Sequence, residues 1–209
     1  MGGAFNRVVK LVLLGAPGSG KGTQGAVLAQ RFGIRHVSSG ELLRTHVQEQ
    51  TDYGRQAQAF LATGDLVPDD LVLSVVGDAL VGAVKAGGYV LDGIPRTLSQ
   101  AERAYELAQP AGLVADAVIF LEVSDDVARD RLAGRAGSQR ADDADPAVIA
   151  RRLEVFHADT RPLLDFYRER NILVSVDGTQ DADIVSDAIF DALTRKGLPT
   201  EVDYTSGQG

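Results

Sequence analysis

The 209-residue chain contains no cysteine, which excludes disulfides, thiolate metal sites and cysteine nucleophiles. Lysine is scarce: four of the 21 basic residues are lysine and 17 are arginine. No run of about 18 apolar residues occurs, so a membrane span is not expected. The N-terminal MGGAFNRVVK has no apolar core of a signal peptide, and a cytoplasmic location is the expectation. Excess positive charge is missing as well. The formal net charge is −8, which argues against non-specific binding to nucleic acid or to an anionic membrane. Internal repeats and low-complexity blocks are absent.

What is present is the pattern of one α/β domain. Hydrophobic residues make up 44% and charged residues 24%, ordinary values for a globular chain. The length suffices for one sizeable core. Short apolar runs at 8–14, 34–37, 88–91, 117–123 and 171–176 read as five strands. Helical periodicity fills 20–32, 41–50, 53–62, 69–86, 98–109, 125–133 and 182–195. A further long helix is expected over 146–170, with Pro146 in its first turn and a kink at Pro162. Strands without strict alternation, separated by helices, predict a parallel sheet covered on both faces. Two stretches, 38–67 and 134–143, interrupt the alternation. The tail 197–209 has no period and is expected to be disordered.

The segment Gly15-Ala16-Pro17-Gly18-Ser19-Gly20-Lys21-Gly22-Thr23 follows the first apolar strand and opens a helix. That is the context of a phosphate-binding P-loop. Glycines let successive N–H groups point into one concavity, and the helix N-terminus adds partial positive charge. Lys21 is placed to reach the β- and γ-phosphates. Gly22 stands where the general pattern has Ser or Thr, and Thr23 follows it. Alone, this loop means only that a nucleoside triphosphate is bound.

Three further segments narrow the choice. Ser38-Ser39-Gly40-Glu41-Leu42-Leu43-Arg44 sets an arginine one helical turn beyond the second strand. Leu91-Asp92-Gly93-Ile94-Pro95-Arg96-Thr97 sets a carboxylate at the end of the third strand, suited to holding Mg²⁺ through water. Arg129, Arg131, Arg135, Arg140, Arg151 and Arg152 fall in one lysine-free stretch. The arginine excess reads either as compositional bias or as a grip on a planar, multiply charged anion, which a guanidinium fork suits better than an ammonium. Arg129 and Arg151 also fit an exposed helical face, and His36, His46 and His157 have no metal spacing and read as structural.

In order, GAPGSGKGT, SSGELLR, DGIPRT and RLAGR…RADD…RRLEVF resemble the nucleoside monophosphate kinases, and adenylate kinases with a short lid most of all. The resemblance spans about residues 8–195. It implies a P-loop NTPase-like three-layer αβα fold with a five-stranded parallel sheet. The core would comprise 1–37, 68–133 and 144–196, with a monophosphate-binding arm at 38–67 and the lid at 134–143. The implied reaction is ATP + AMP ⇌ 2 ADP with Mg²⁺, by a monomer. Gly18, Ser19, Gly20, Lys21, Gly22 and Thr23 would hold ATP, with Arg131, Arg135 and the backbone of Gly178. Ser39, Arg44, Asp65, Leu66, Val67, Gly93, Ile94, Pro95, Arg96 and Gln100 would hold AMP. Arg140 and Arg152 would bridge the phosphates of both nucleotides, and Asp92 would organise Mg²⁺. The residues implied to act in the transfer itself are Lys21, Arg96, Arg135, Arg140 and Arg152.

The chain departs from the family pattern at Glu41, where Asp is usual, and at Ile94, where an aromatic is common. Phe156-His157 replaces a usual tyrosine pair, and Gln139 a usual glycine. The hydroxyl of Ser39 and the amide of Gln100 favour AMP over UMP or CMP. The lid is too short for an inserted zinc hairpin, so structural zinc is not expected. The readings set against this one are a uridylate/cytidylate kinase and a nucleotide-binding module without turnover. A second anion site argues against the module.

Overall fold

The computed structural model describes residues 8–134 and 145–198. Five strands form one sheet: β1 (Val9–Gly15), β2 (Arg35–Ser38), β3 (Gly88–Asp92), β4 (Ala117–Glu122) and β5 (Leu173–Asp177). The order across the sheet is β2-β3-β1-β4-β5, and every pairing is parallel. Registers such as Leu13↔Asp92, Ser38↔Asp92 and Gly15↔Leu121 bring the carboxyl ends of the strands to one edge. In open parallel sheets that edge is where ligands bind.

Burial on both faces explains why the strands do not alternate in polarity. All seven residues of β1 are buried. Leu11 and Leu13 pack with Leu28 and Phe32 of α1 (Lys21–Phe32) and with Ile189 and Leu193 of α9 (Ala182–Arg195). Val12 and Leu14 face the other way, towards Val72 and Val76 of α4 (Asp69–Lys85), Ala101 of α5 (Leu98–Ala108) and Leu163 of α8 (Leu163–Glu169). A third, smaller cluster lies beneath the phosphate loop. It joins Ala16 to Ala128 and Leu132 of α6 (Asp125–Ala133) and to Ile149 and Leu153 of α7 (Pro146–Val155).

Between β2 and α4 the chain forms α2 (Ser39–Gln48) and α3 (Asp52–Thr63). Each helix starts on a side chain that meets an open backbone donor. Ser38 accepts from the Glu41 amide and Thr51 from that of Gly54. The first of these caps starts α2 two residues earlier than the apolar periodicity suggests.

One expectation is corrected. Residues 146–170 do not form a single helix kinked at Pro162. α7 starts as expected, with Asp145 as its cap and Pro146 in its first turn. It then gives way to a π-helical turn, Phe156–Thr160, before α8 begins. In that turn the Arg161 amide donates to the Phe156 carbonyl, five residues back, at 2.8 Å. The reason lies in Pro162, which has no amide to donate and whose ring crowds the carbonyl four residues earlier. Widening the turn before the proline lets the chain pass it, so the interruption runs from Phe156 to Pro162 instead of being a single kink at the proline. The expected tail, 197–209, lies outside the described residues from 199 onward.

Two tyrosines report on this packing. Burial pushes the Tyr89 phenol up to about 12, with Asp116 adding to the effect, and burial also raises Tyr167. A phenol whose folded pKa is raised contributes stability that is complete below its unfolded value near 10 and is lost as pH climbs through the folded value. Absorbance titration at 295 nm should therefore show Tyr89 and Tyr167 ionising only well above pH 10, with unfolding free energy falling between about pH 10 and 12. Ionisation of Tyr89 and Tyr167 near pH 10 while the chain stays folded would contradict the packing.

Candidate active site

A cleft of about 720 Å³ opens at the carboxyl edge of the sheet. Its floor is the loop between β1 and α1. Gly18 there has φ +82°, and a Cβ at that position would come within 2.5 Å of the Ala128 carbonyl, so α6 packs against bare backbone. α1 begins at Lys21 with no side chain capping its first turn. Its first amides are left for a ligand, and the helix end favours an anion. Lys21 Nζ folds back over the loop, donating to the Gly15 and Ala16 carbonyls at 2.8 Å each. The ammonium thus stands in the concavity where the resemblance puts ATP phosphates.

The opposite wall carries three guanidinium groups. Arg44 projects from α2, Arg152 from α7, and Arg96 from the turn after β3, and all three line the cleft. Arg96 shows how close they are. Burial, then the charge of Arg152, lowers its proton affinity; Asp92 opposes this and Arg44 adds to it. Converging cations in a desolvated pocket repel one another, and a polyanion relieves that repulsion.

The turn holding Arg96 is braced at several points. Its Nε donates to the Gly93 carbonyl at 2.7 Å. Its amide donates to Gln100 Oε1 at 2.7 Å, and its carbonyl accepts from Thr160 Oγ1 at 2.8 Å. Gly93 has φ +84°, and a Cβ there would lie 2.5 Å from Ser39 Oγ, so the turn sits hard against the start of α2.

A second, smaller cleft of about 300 Å³ lies on the far side of the phosphate loop, lined by Gly20, Thr23, Gln24, Arg131 and Gly178 among others. Arg131 donates to the carbonyls of Gly178 at 2.7 Å and Thr179 at 3.0 Å, so it clasps the turn after β5. In that turn the Thr179 hydroxyl and amide, then Gln180, hold the Asp177 carboxyl below the usual carboxylate range. Gln24 is buried, donating to the Ala182 carbonyl and accepting from Ser186, each at 2.8 Å, and so ties α1 to α9.

Most residues expected in the site meet at these two clefts. Gly18, Gly20, Lys21, Gly22, Thr23, Arg44, Leu66, Asp92, Gly93, Pro95, Arg96 and Arg152 line the larger one. Ser19, Arg131 and Gly178 line the smaller. Ser39 is buried at the start of α2, where Gly93 presses against its hydroxyl. Four residues sit differently from the simplest expectation. The Asp65 carboxylate is at the surface, where Arg151 Nε donates to it at 2.8 Å and the Thr63 hydroxyl also donates. Both contacts lower its pKa. Val67 and Ile94 are in the hydrophobic core. Gln100 is buried, with its oxygen on the Arg96 amide and its nitrogen on Asp69. Arg135 and Arg140, with the expected lid save Gly134, lie outside the described residues.

Three side chains were not singled out by the motifs. Thr160 lines the cleft from the π turn, beside Phe156 of the RRLEVF segment, and Gln24 and Ser186 brace α1. No local pattern marks them, because each acts through a contact distant in sequence. His36 also lines the cleft, its Nε2 3.9 Å from Asp92 Oδ2. Among the described residues, that nitrogen is the buried side-chain polar atom with no hydrogen-bond partner.

A P-loop at the end of a central parallel strand, facing a second cationic wall across one cleft, defines a phosphotransferase of the P-loop kinase class. The family model described as adenylate kinase matches residues 13–172. The adenylate kinase of Stenotrophomonas maltophilia is 41% identical over 88% of this chain and 99% of its own length. That of Mycobacterium tuberculosis is 43% identical over 83% of this chain and 93% of its own. Adenylate kinase 1 of Nostoc is 41% identical over 86% and 95%. The chain belongs to the adenylate kinase family.

The clasp on the turn after β5 has a measurable consequence. Arg131→Met should raise KM for ATP about tenfold, the size of one or two charge-assisted hydrogen bonds, and leave KM for AMP within about twofold. Hydrogen exchange of the 178–180 amides should quicken in the same variant. Unchanged exchange and unchanged ATP kinetics would refute the clasp.

Proposed function

We propose that the chain catalyses reversible, Mg²⁺-dependent transfer of the γ-phosphoryl group of ATP to AMP, giving two ADP. The observation that carries this is the convergence of Arg44, Arg96 and Arg152 on the cleft whose floor is the phosphate loop. One nucleotide needs one phosphate cradle, and a second cationic wall facing it suits a second phosphorylated partner.

Position in the two clefts supports the following division of labour. Gly18, Ser19, Gly20, Lys21, Gly22 and Thr23 receive the ATP phosphates, and the smaller cleft beside Arg131 and Gly178 receives its base. Ser39, Arg44, Leu66, Gly93 and Arg96 receive AMP, with Gln100 acting from behind the Arg96 turn. Asp65 and Val67 contribute backbone at most, since their side chains point elsewhere. Arg152 stands between the two phosphate groups; Arg135 and Arg140 join it on family grounds. Residues 38–67 serve as the monophosphate arm, 134–143 as the lid, and the rest of 1–196 as the core.

The chemistry asks little covalent work of the protein. An oxygen of the AMP phosphate attacks the γ-phosphorus, a new P–O bond forms, and the bond to the β–γ bridging oxygen breaks. The departing ADP keeps the electron pair. Lys21, Arg96 and Arg152 hold the two phosphates in line and offset the negative charge that spreads over the transferring group. Water kept from the cleft cannot compete as acceptor.

The metal site can be tested against the donor set. Among the described residues no three His, Cys, Asp or Glu side chains cluster as a metal cage. Asp92 is a nearly buried carboxylate in the cleft, facing the phosphate loop across the register with Leu13. One carboxylate beside a polyphosphate suits Mg²⁺, which keeps several waters and takes the rest of its oxygens from phosphates. When bound, the ion would neutralise phosphate charge and orient the triphosphate, with Asp92 holding its water shell and Thr23 nearby.

No helix among the described residues is long and apolar enough to cross a membrane. We propose a cytoplasmic monomer whose partners are ATP, AMP and ADP, with neither nucleic acid nor membrane among them and with no zinc in the lid.

A panel of AMP, CMP, UMP and GMP with ATP and Mg²⁺ should give fast turnover with AMP only. Preference for UMP or CMP would move the assignment to the pyrimidine kinases, and binding without turnover would leave a nucleotide-binding module. Arg96→Ala and Lys21→Ala should each lower kcat/KM by about a hundredfold or more, as expected for groups that stabilise charge in the transition state.

A further inference from the structure

Arg96 occupies a turn, not a helix or a strand, so neither a helical ladder nor a sheet ladder fixes it. Two of its braces are local: the contact to Gly93 within its own turn and the contact to Gln100 at the start of α5. The third comes from a residue 64 positions away, Thr160, whose hydroxyl donates to the Arg96 carbonyl at 2.8 Å. Thr160 is buried, lines the cleft and is the last residue of the π turn. The extra residue in that turn sets its direction. An α-helix advances about 100° per residue, so regular continuation of α7 would turn the hydroxyl well away from the Arg96 carbonyl. The same continuous segment carries Arg152 eight residues earlier, and Phe156 packs into the cluster beneath the phosphate loop. π-helical turns are frequent at functional sites.

We infer that Thr160 is a positioning residue for the transfer reaction. Through its hydroxyl on the Arg96 carbonyl, it holds the Arg96 guanidinium in register with Arg152 against the phosphate of the monophosphate substrate. Thr160 touches no reacting atom. It links the two arginines of the acceptor wall, one in a turn and one on a helix, into a single rigid unit. The inference rests on the proposed contact between Arg96 and the monophosphate.

The test is a kinetic cycle on the full chain with Thr160→Val, Thr160→Ser, Arg96→Ala and the double variant T160V/R96A. T160V keeps the shape and deletes the donor. Its kcat/KM for AMP should fall about tenfold or more, since small misplacements of a binding group are costly in phosphoryl transfer, while KM for ATP stays within about twofold. T160S, which restores the hydroxyl, should recover most of the loss. In the R96A background, T160V should cost nothing further, because both changes act on one contact. A role in packing alone would give losses that add to R96A, that T160S does not rescue, or that fall equally on ATP; any of these overturns the inference. So does wild-type behaviour of T160V. If T160V fails to fold, Thr160→Ala repeats the measurement with less bulk. Should R96A itself behave as wild type, the assignment of Arg96 fails and the inference falls with it. A crippled R96A beside an unaffected T160V removes only the role of Thr160.

Discussion

Three partly buried guanidinium groups of like charge share one cleft, and that arrangement is unfavourable by itself. Burial and the neighbouring charges of Arg152 and Arg44 both work against the charged form of Arg96, and Asp92 offsets only part of this. The rest of the molecule can be understood as the scaffold that keeps these groups together regardless. A polyphosphate entering the cleft turns mutual repulsion into shared attraction. Binding and charge stabilisation during transfer therefore draw on the same preorganised charge.

The scaffold succeeds because most of its core lies away from the site. The parallel sheet is buried on both faces, and its central strand contributes seven buried residues. Strand carboxyl ends are brought to one edge by topology, so the phosphate loop, Asp92 and the turn after β5 meet there, with Ala16 tying the loop to the small cluster beneath it. Where the chain leaves regular structure at that edge, side chains replace the missing ladder bonds. Gln100 and Thr160 brace the Arg96 turn, Arg131 clasps the turn after β5, and Gln24 with Ser186 anchors α1 to α9.

Surface contacts do less. Arg151 joins Asp65 and Glu154 on the exposed side of α7, linking the end of α3 to that helix. Pairs so exposed are screened and contribute little to stability. Their neighbour in sequence, Arg152, faces inward to the cleft. Adjacent arginines on one helix thus have opposite environments, because successive residues point about 100° apart.

Much of this was legible in the linear chain. Five apolar runs without alternation implied a parallel sheet, since only strands buried on both faces can dispense with polar positions. The glycine spacing before Lys21 implied a phosphate cradle, because backbone amides can converge on an anion only where side chains are absent. The arginines that line the cleft were visible through motif order, and so was Asp92. What the chain could not disclose were features that depend on contacts between distant segments. The burial of Gln100 behind Arg96, the outward turn of Asp65 and the helix break from Phe156 to Pro162 belong to this group. So does the reach of Thr160 across 64 residues to a backbone carbonyl. Local sequence determines which conformations each segment favours and which charges it carries. Only the packed fold decides which of two adjacent arginines meets solvent, and which hydroxyl finds an unmet carbonyl, because those outcomes are set by neighbours that sequence proximity does not supply.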